Sequence, residues 1–197
     1  FLGLLLIGDM IQFALFGPLT AVLCKINLFK MPKKFAKMSM MAITTTSGAI
    51  CLPTKMEDAV TKFGVSRKVA DFTGPITMSM NSCGAVQCYV AAIFFMAQAT
   101  GIQMSPYQTG MAVLLSCLMC MGTISVPGGS IPVYTFLASS LELPLESIAV
   151  LIGIDWFAGM FRTLMNVDVD VMVGMLVADK LGELDRDVYN EKKTVKY

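Results

Sequence analysis

The sequence predicts an all-α membrane protein, built from spanning helices and two re-entrant helical hairpins of opposite entry, with discontinuous helices at mid-membrane. Three observations predict it. The 197 residues are 55% hydrophobic, more apolar than soluble domains usually are. From Phe72 to Leu141 the chain runs 70 residues without an Asp, Glu, Lys or Arg, enough for more than two spans at about 20 residues each. Two apolar segments are broken centrally by hydroxyl, glycine and proline residues, which leaves arms too short to span alone.

The elements follow in order. Residues 1–28 read as one spanning helix, interrupted by Asp9 and Gln12, with Pro18 a possible kink. Lys25, Lys30, Lys33, Lys34 and Lys37 follow, which places this end in the cytoplasm. Residues 38–66 read as the first hairpin. Its apolar part, Met38–Pro53, is interrupted at Thr44–Gly48, and the charged, amphipathic stretch from Lys55 to Asp71 returns to the cytoplasm. The alternative is a pair of short amphipathic helices lying on the membrane. Residues 71–99 read as a broken helix. The run Ser79-Met-Asn-Ser-Cys-Gly84 at its centre favours either an unwound segment with free carbonyls or close helix packing through small residues.

An uncharged loop leads to the second hairpin, residues 108–141, broken between Gly122 and Pro132. Its flanks carry no Lys or Arg, so it should enter from the side opposite the lysines. A long helix over 144–180 completes a core of residues 1–180. The tail, 181–197, is charged and is expected to be cytoplasmic and poorly ordered. Phe1 lies in an apolar run without an initiator Met or a signal-peptide pattern, so further spans are expected before it.

Composition removes several functions. A net charge of +1 without basic stripes or interleaved aromatics gives no nucleic-acid partner. With no His, imidazole metal sites and His-based triads are excluded. The six Cys sit among apolar or small residues and read as core-filling side chains.

The long helix carries the chemistry. Within Gly153–Val171 stand Asp155, Arg162, Asn166 and Asp170. At about 100° per residue, the last three fall near −20°, +20° and +60° from Asp155, on one stripe. Gly159 opens a gap in that stripe, and Asp168 falls near 220°, on the other side. A charge at mid-bilayer costs about 2.5–3.5 kcal/mol on insertion scales, so such groups usually face a cavity and act there. The plain alternative is an Asp–Arg pair between packed helices. An aspartyl protease built on Asp155 and Asp170 fails, since their rise along one helix separates them by about 22 Å.

Thr45–Pro53, Gly64-Val-Ser66, Phe72–Gly84, Gly122-Thr123, Val126-Pro-Gly128 and Gly153–Asp170 occur in the order found in the dicarboxylate/amino acid:cation (sodium) symporter family. The chain resembles the mobile transport domain of that family's glutamate carriers. The resemblance implies a non-enzymatic secondary transporter in the plasma membrane, working by alternating access. It implies a small anionic carboxylate as substrate, such as a C4-dicarboxylate, and Na+ as the coupling ion, with H+ instead or in addition. It also implies a homotrimer assembled through scaffold spans outside this sequence.

The resemblance also implies roles by position. Arg162 would bind a substrate carboxylate bidentately and Asn166 would hydrogen-bond the other. Thr46 and Ser47 would touch substrate from one hairpin tip, and Val126, Pro127 and Gly128 would form the opposite lid. Asp170 would hold one cation with the carbonyls of Thr77, Asn81 and Asn166, and the carbonyls of Ser79, Cys120, Met121 and Thr123 would hold another.

The chain departs from the pattern at three places. Cys83 and Ala85 stand where the family's Asn-Met-Asp-Gly-Thr motif has Asp and Thr, and Gly159 stands where amino-acid carriers have an Asp for the substrate ammonium. The reading is therefore a carboxylate without an obligatory amino group. The alternatives are an acidic amino-acid symporter, or a carboxylate-binding or channel-like protein with weakened cation coupling.

Overall fold

The computed structural model describes residues 1–121 and 128–197. Among them all regular structure is helical: α1 (Leu2–Cys24), α2 (Met31–Thr45), α3 (Gly48–Thr61), α4 (Arg67–Met80), α5 (Cys83–Ala99), α6 (Pro106–Met121), α7 (Ile131–Ser140), α8 (Ile148–Lys180) and α9 (Arg186–Tyr189). A single antiparallel bridge, Val65 with Leu184, is the only β pairing among the described residues. Three helical stretches are long and apolar enough to cross a membrane: Leu2–Cys24, Arg67–Ala99 and Leu145–Lys180.

α1 buries few residues. Leu4, Ile7, Ile11, Leu15, Leu19 and Val22 point outward along it. α2 and α3 form a helix–turn–helix of 15 and 14 residues. The turn forms because Thr46 takes a left-handed φ of 48° and Ser47 accepts the Ile50 amide as N-cap, which restarts the helix at once. α3 runs through Pro53 to Thr61, past the end expected for the apolar segment. α4 and α5 together make a helix broken at Asn81–Ser82, where Asn81 turns extended (φ −92°, ψ 112°).

α8 is the axis of the molecule, a helix of 33 residues and about 50 Å that packs against α1, α2, α3, α4, α5 and α7. Two apolar clusters flank it. One joins α5, α6 and α7 to Ile148, Leu151 and Ala158, with Tyr89, Ile93, Met96, Tyr134 and Leu137 buried in it. The other joins α2, α3 and α4 to Val167, Val171, Met172 and Met175, around Phe35, Phe63 and Tyr189. The stretch of α8 from Gly159 to Asn166 lies between them.

The tail, expected to be poorly ordered, is instead docked. Ser66 N–H donates to Glu183 O (3.1 Å) and Asp185 N–H to Gly64 O (2.7 Å). Gly64 has φ 77°, and a Cβ there would lie 2.1 Å from Asp185 O, so only glycine allows this contact. Tyr189 is buried, donates to Asn27 O (2.8 Å) and lies under the Lys34 ammonium. The charged residues missed by the sequence reading are those with an inward face. Lys55 and Asp58, read as part of a water-facing amphipathic stretch, are 2% and 1% exposed. Of the six cysteines, Cys24, Cys51, Cys88 and Cys120 are buried, Cys83 is partly buried and Cys117 faces outward.

Candidate functional site

Arg162 is 8% exposed, in the middle of α8. Its Nη1 lies 3.9 Å from Asp155 Oδ1, too far for a hydrogen bond, and has no hydrogen-bond acceptor among the described residues. The same Asp155 oxygen accepts from the Ser130 hydroxyl and from Tyr134 OH (3.3 Å). The carboxylate therefore balances the guanidinium's charge without filling its donors.

Arg162 lines a small cavity of about 20 Å³ together with Thr46, Gly48, Met78, Thr163, Asn166, Val167 and Asp170. That is room for a water-sized group. Thr46 Oγ1 is also buried without a partner among the described residues. Two buried polar groups, one on α8 and one in the α2–α3 turn, thus lack protein partners among the described residues lining one cavity, and each such group is costly unless something fills it. The Thr46 side chain borders the space beside Gly159, where a Cβ would lie 3.3 Å from Thr46 Cβ. Ser47, next along the tip, is buried and serves as the α3 cap.

Asn166 is oriented by α5. Gly84 N–H donates to its Oδ1 (2.8 Å), which fixes the amide orientation and leaves its N–H groups free to donate. This approach needs glycine, because a Cβ on Gly84 would lie 2.4 Å from Arg162 O.

The first cation set comes together at the helix break, yet hydrogen-bond donors of the protein fill it. Asn81 Nδ2 donates to Asp170 Oδ1 (2.8 Å) and to Asn166 O (3.4 Å), and Asn81 N–H donates to Thr77 O (2.8 Å). The other oxygen of Asp170 accepts from the Lys55 ammonium, which also donates to Gly74 O (3.0 Å). A sodium ion needs these oxygens turned toward it, so this set does not fit a metal ion as it stands. Of the second set, Ser79 is exposed and its hydroxyl folds back on Pro75 O (3.2 Å), while Cys120 and Met121 end α6. Thr123, Val126 and Pro127 lie outside the described residues. Gly128 is exposed, with φ 77°.

Lys55 is the charged group at this site that the sequence reading missed. Its signal was present: Cys51, Lys55, Asp58 and Ala59 recur at helical spacing, and all four are buried. Asp168 faces away from the cavity and accepts from Ser39 Oγ at 3.0 and 2.9 Å.

Long apolar helices enclosing a guanidinium, an amide and a paired carboxylate define an integral membrane protein with an internal polar site. The chain belongs to the sodium:dicarboxylate symporter family, whose family model matches residues 1–180. It is 33% identical over 167 residues to the proton/glutamate-aspartate symporter of Bacillus subtilis (strain 168), covering 85% of this chain and 39% of that protein. It is 31% identical over 185 residues to the proton/sodium-glutamate symport protein of Bacillus caldotenax, covering 94% of this chain and 42% of that protein. It is 27% identical over 179 residues to the L-cystine uptake protein TcyP of Bacillus thuringiensis (strain Al Hakam), covering 89% of this chain and 38% of that protein. The chain thus spans about two fifths of the length of the curated relatives it matches.

Proposed function

We propose that this chain is the substrate-carrying core of a secondary transporter that moves a small carboxylate, such as a C4-dicarboxylate, across the cell membrane by alternating access. The observation that carries the proposal is the pair of unpartnered groups at one cavity, Arg162 Nη1 and Thr46 Oγ1. A carboxylate supplies the acceptors both need, and a guanidinium binds it in a planar, two-bonded geometry. Asn166, with N–H groups to give, would take the substrate's second acidic group.

Among the described residues no free acid lines the cavity, which argues against an amino group on the substrate. Gly159 offers none, Asp170 already holds the Lys55 ammonium, and Asp155 is engaged by Ser130, Tyr134 and Arg162. The glutamate and aspartate in the relatives' names favour the second reading, an acidic amino-acid symporter.

In this proposal α2 and α3 are a re-entrant hairpin. Their 15 and 14 residues reach about 22 Å, short of the roughly 30 Å hydrocarbon core. Residues 108–141 form the opposing hairpin, with Val126 and Gly128 in its lid. The cavity's small size means substrate enters only when the Thr46 tip and the lid separate, which is the gating that alternating access requires. The driving ion is Na+ or H+, as the family description and the relatives' names suggest. The outward apolar side chains of α1 meet lipid or scaffold spans through which the protein trimerises. The basic α1–α2 end and the tail lie in the cytoplasm.

Equilibrium binding and liposome counterflow with succinate, malate, glutamate and aspartate test this. Succinate or malate should bind, and Arg162→Ala should weaken binding by about 2–4 kcal/mol, roughly 30- to 1,000-fold. Strict preference for glutamate or aspartate overturns the substrate assignment. Binding without uptake would make the protein a sensor.

A further inference from the structure

We propose that Lys55 is a built-in cation that takes the place of a metal ion at Asp170, so that the site holds its carboxylate charge without sodium there. The inference rests on reading the Asp170 set as the cation position that the family resemblance implies, within the transport function proposed above.

Lys55 reaches the site from α3, 2% exposed, with its ammonium on Asp170 Oδ2 and on Gly74 O at 3.0 Å. Asp170 itself is 4% exposed. An ammonium is a compact point charge with three donors, so it meets a carboxylate and a carbonyl much as a small monovalent ion would. Asp170 Oδ1 and the carbonyls of Thr77 and Asn166 face N–H donors of Asn81, not an open coordination sphere. A sodium ion added at Asp170 would sit beside a like charge in a water-poor interior, where repulsion is strongest. The charges around the cavity already balance: Arg162 with Asp155, and Lys55 with Asp170.

A purely structural ion pair and a tethered cation differ in one respect. Removing the lysine from the first leaves only damage. Removing it from the second opens a cation site.

The test is thermal unfolding of the full-length protein in detergent, in NaCl and in N-methylglucamine chloride of equal ionic strength. Sodium that binds the folded state raises Tm. Lys55→Ala should gain a sodium-specific rise of a few degrees beyond the wild type, and adding Asp170→Asn should remove that gain. Lys55→Arg, which keeps the charge, should respond like the wild type. A sodium response in Lys55→Ala no larger than in the wild type overturns the proposal. Should Lys55→Ala fail to fold, Asp170→Asn alone decides. An unchanged sodium response supports the tethered cation, and a response abolished by that substitution overturns it. None of these readouts uses a carboxylate. Failure of the binding panel would therefore sink the substrate assignment and leave this inference standing, and a failed sodium test would do the reverse.

Discussion

At the scale of single residues, the proposed substrate class turns on Gly159. Its missing side chain leaves the Thr46 methyl and the Arg162 guanidinium facing each other across a gap, with 3.3 Å from a would-be Cβ to Thr46 Cβ and 3.6 Å to Arg162 Nη2. An acid placed there would lie next to the guanidinium and offer a partner to a substrate ammonium. Gly159→Asp should therefore move the preference toward glutamate or aspartate over succinate by at least about tenfold, some 1.4 kcal/mol. Competition binding measures the ratio, and an unmoved ratio would detach Gly159 from specificity. Arg162, Asn166 and Asp170 were legible in the sequence because charge inside an apolar helix is costly and so conspicuous. Lys55 was not, since it stands at the edge of a charged stretch and only packing reveals which of those charges turns inward.

At the scale of elements, the site depends on how closely α5 approaches α8. The Gly84 amide reaches Asn166, and the Gly84 Cα faces the Arg162 carbonyl with no space for a methyl group. Gly84→Ala must push the two helices apart at that point. The backbone leaves little freedom to adjust, so destabilisation of about 1–3 kcal/mol is expected, together with weaker carboxylate binding. Chemical denaturation and the binding panel read the two effects separately. Full stability in this variant would show that the helices are less constrained than their contact implies. The break at Asn81–Ser82 was legible from small and amide residues in mid-helix. Its geometry was not, because the amide nitrogen of Asn81 is directed by Asp170 and Asn166, which are more than 80 residues away.

At the scale of the whole molecule, the tail latches one end of the bundle. Tyr189 plugs the cluster around Phe63, and its removal by Tyr189→Ala should cost about 3 kcal/mol or more, seen as a lower Tm. The latch is also electrostatic. The Lys193 ammonium bonded to Asp185 holds that carboxyl below its ordinary 3.8, and the Lys34 ammonium holds the Glu191 carboxyl below its ordinary 4.5. A depressed carboxyl stabilises the folded state above its unfolded value, and that contribution is lost as pH falls through the folded one. Tail amides should therefore exchange hydrogen faster as pH drops below about 4, after correction for the intrinsic rate. Glu191 is exposed and Asp185 partly so, and the effect should therefore shrink in high salt. Tail protection unchanged at low pH would leave the apolar contacts of Tyr189 as the whole latch.

Composition and periodicity were enough to establish a helical membrane protein with a guanidinium at its centre, because hydrophobic patterning is local and misplaced charge is rare. Which donors fill Asp170, which hydroxyl is left without a partner, and whether the tail docks depended on helices far apart in the chain. Hydrogen bonds of that kind are assigned only when the packed backbone brings their two halves within about 3 Å.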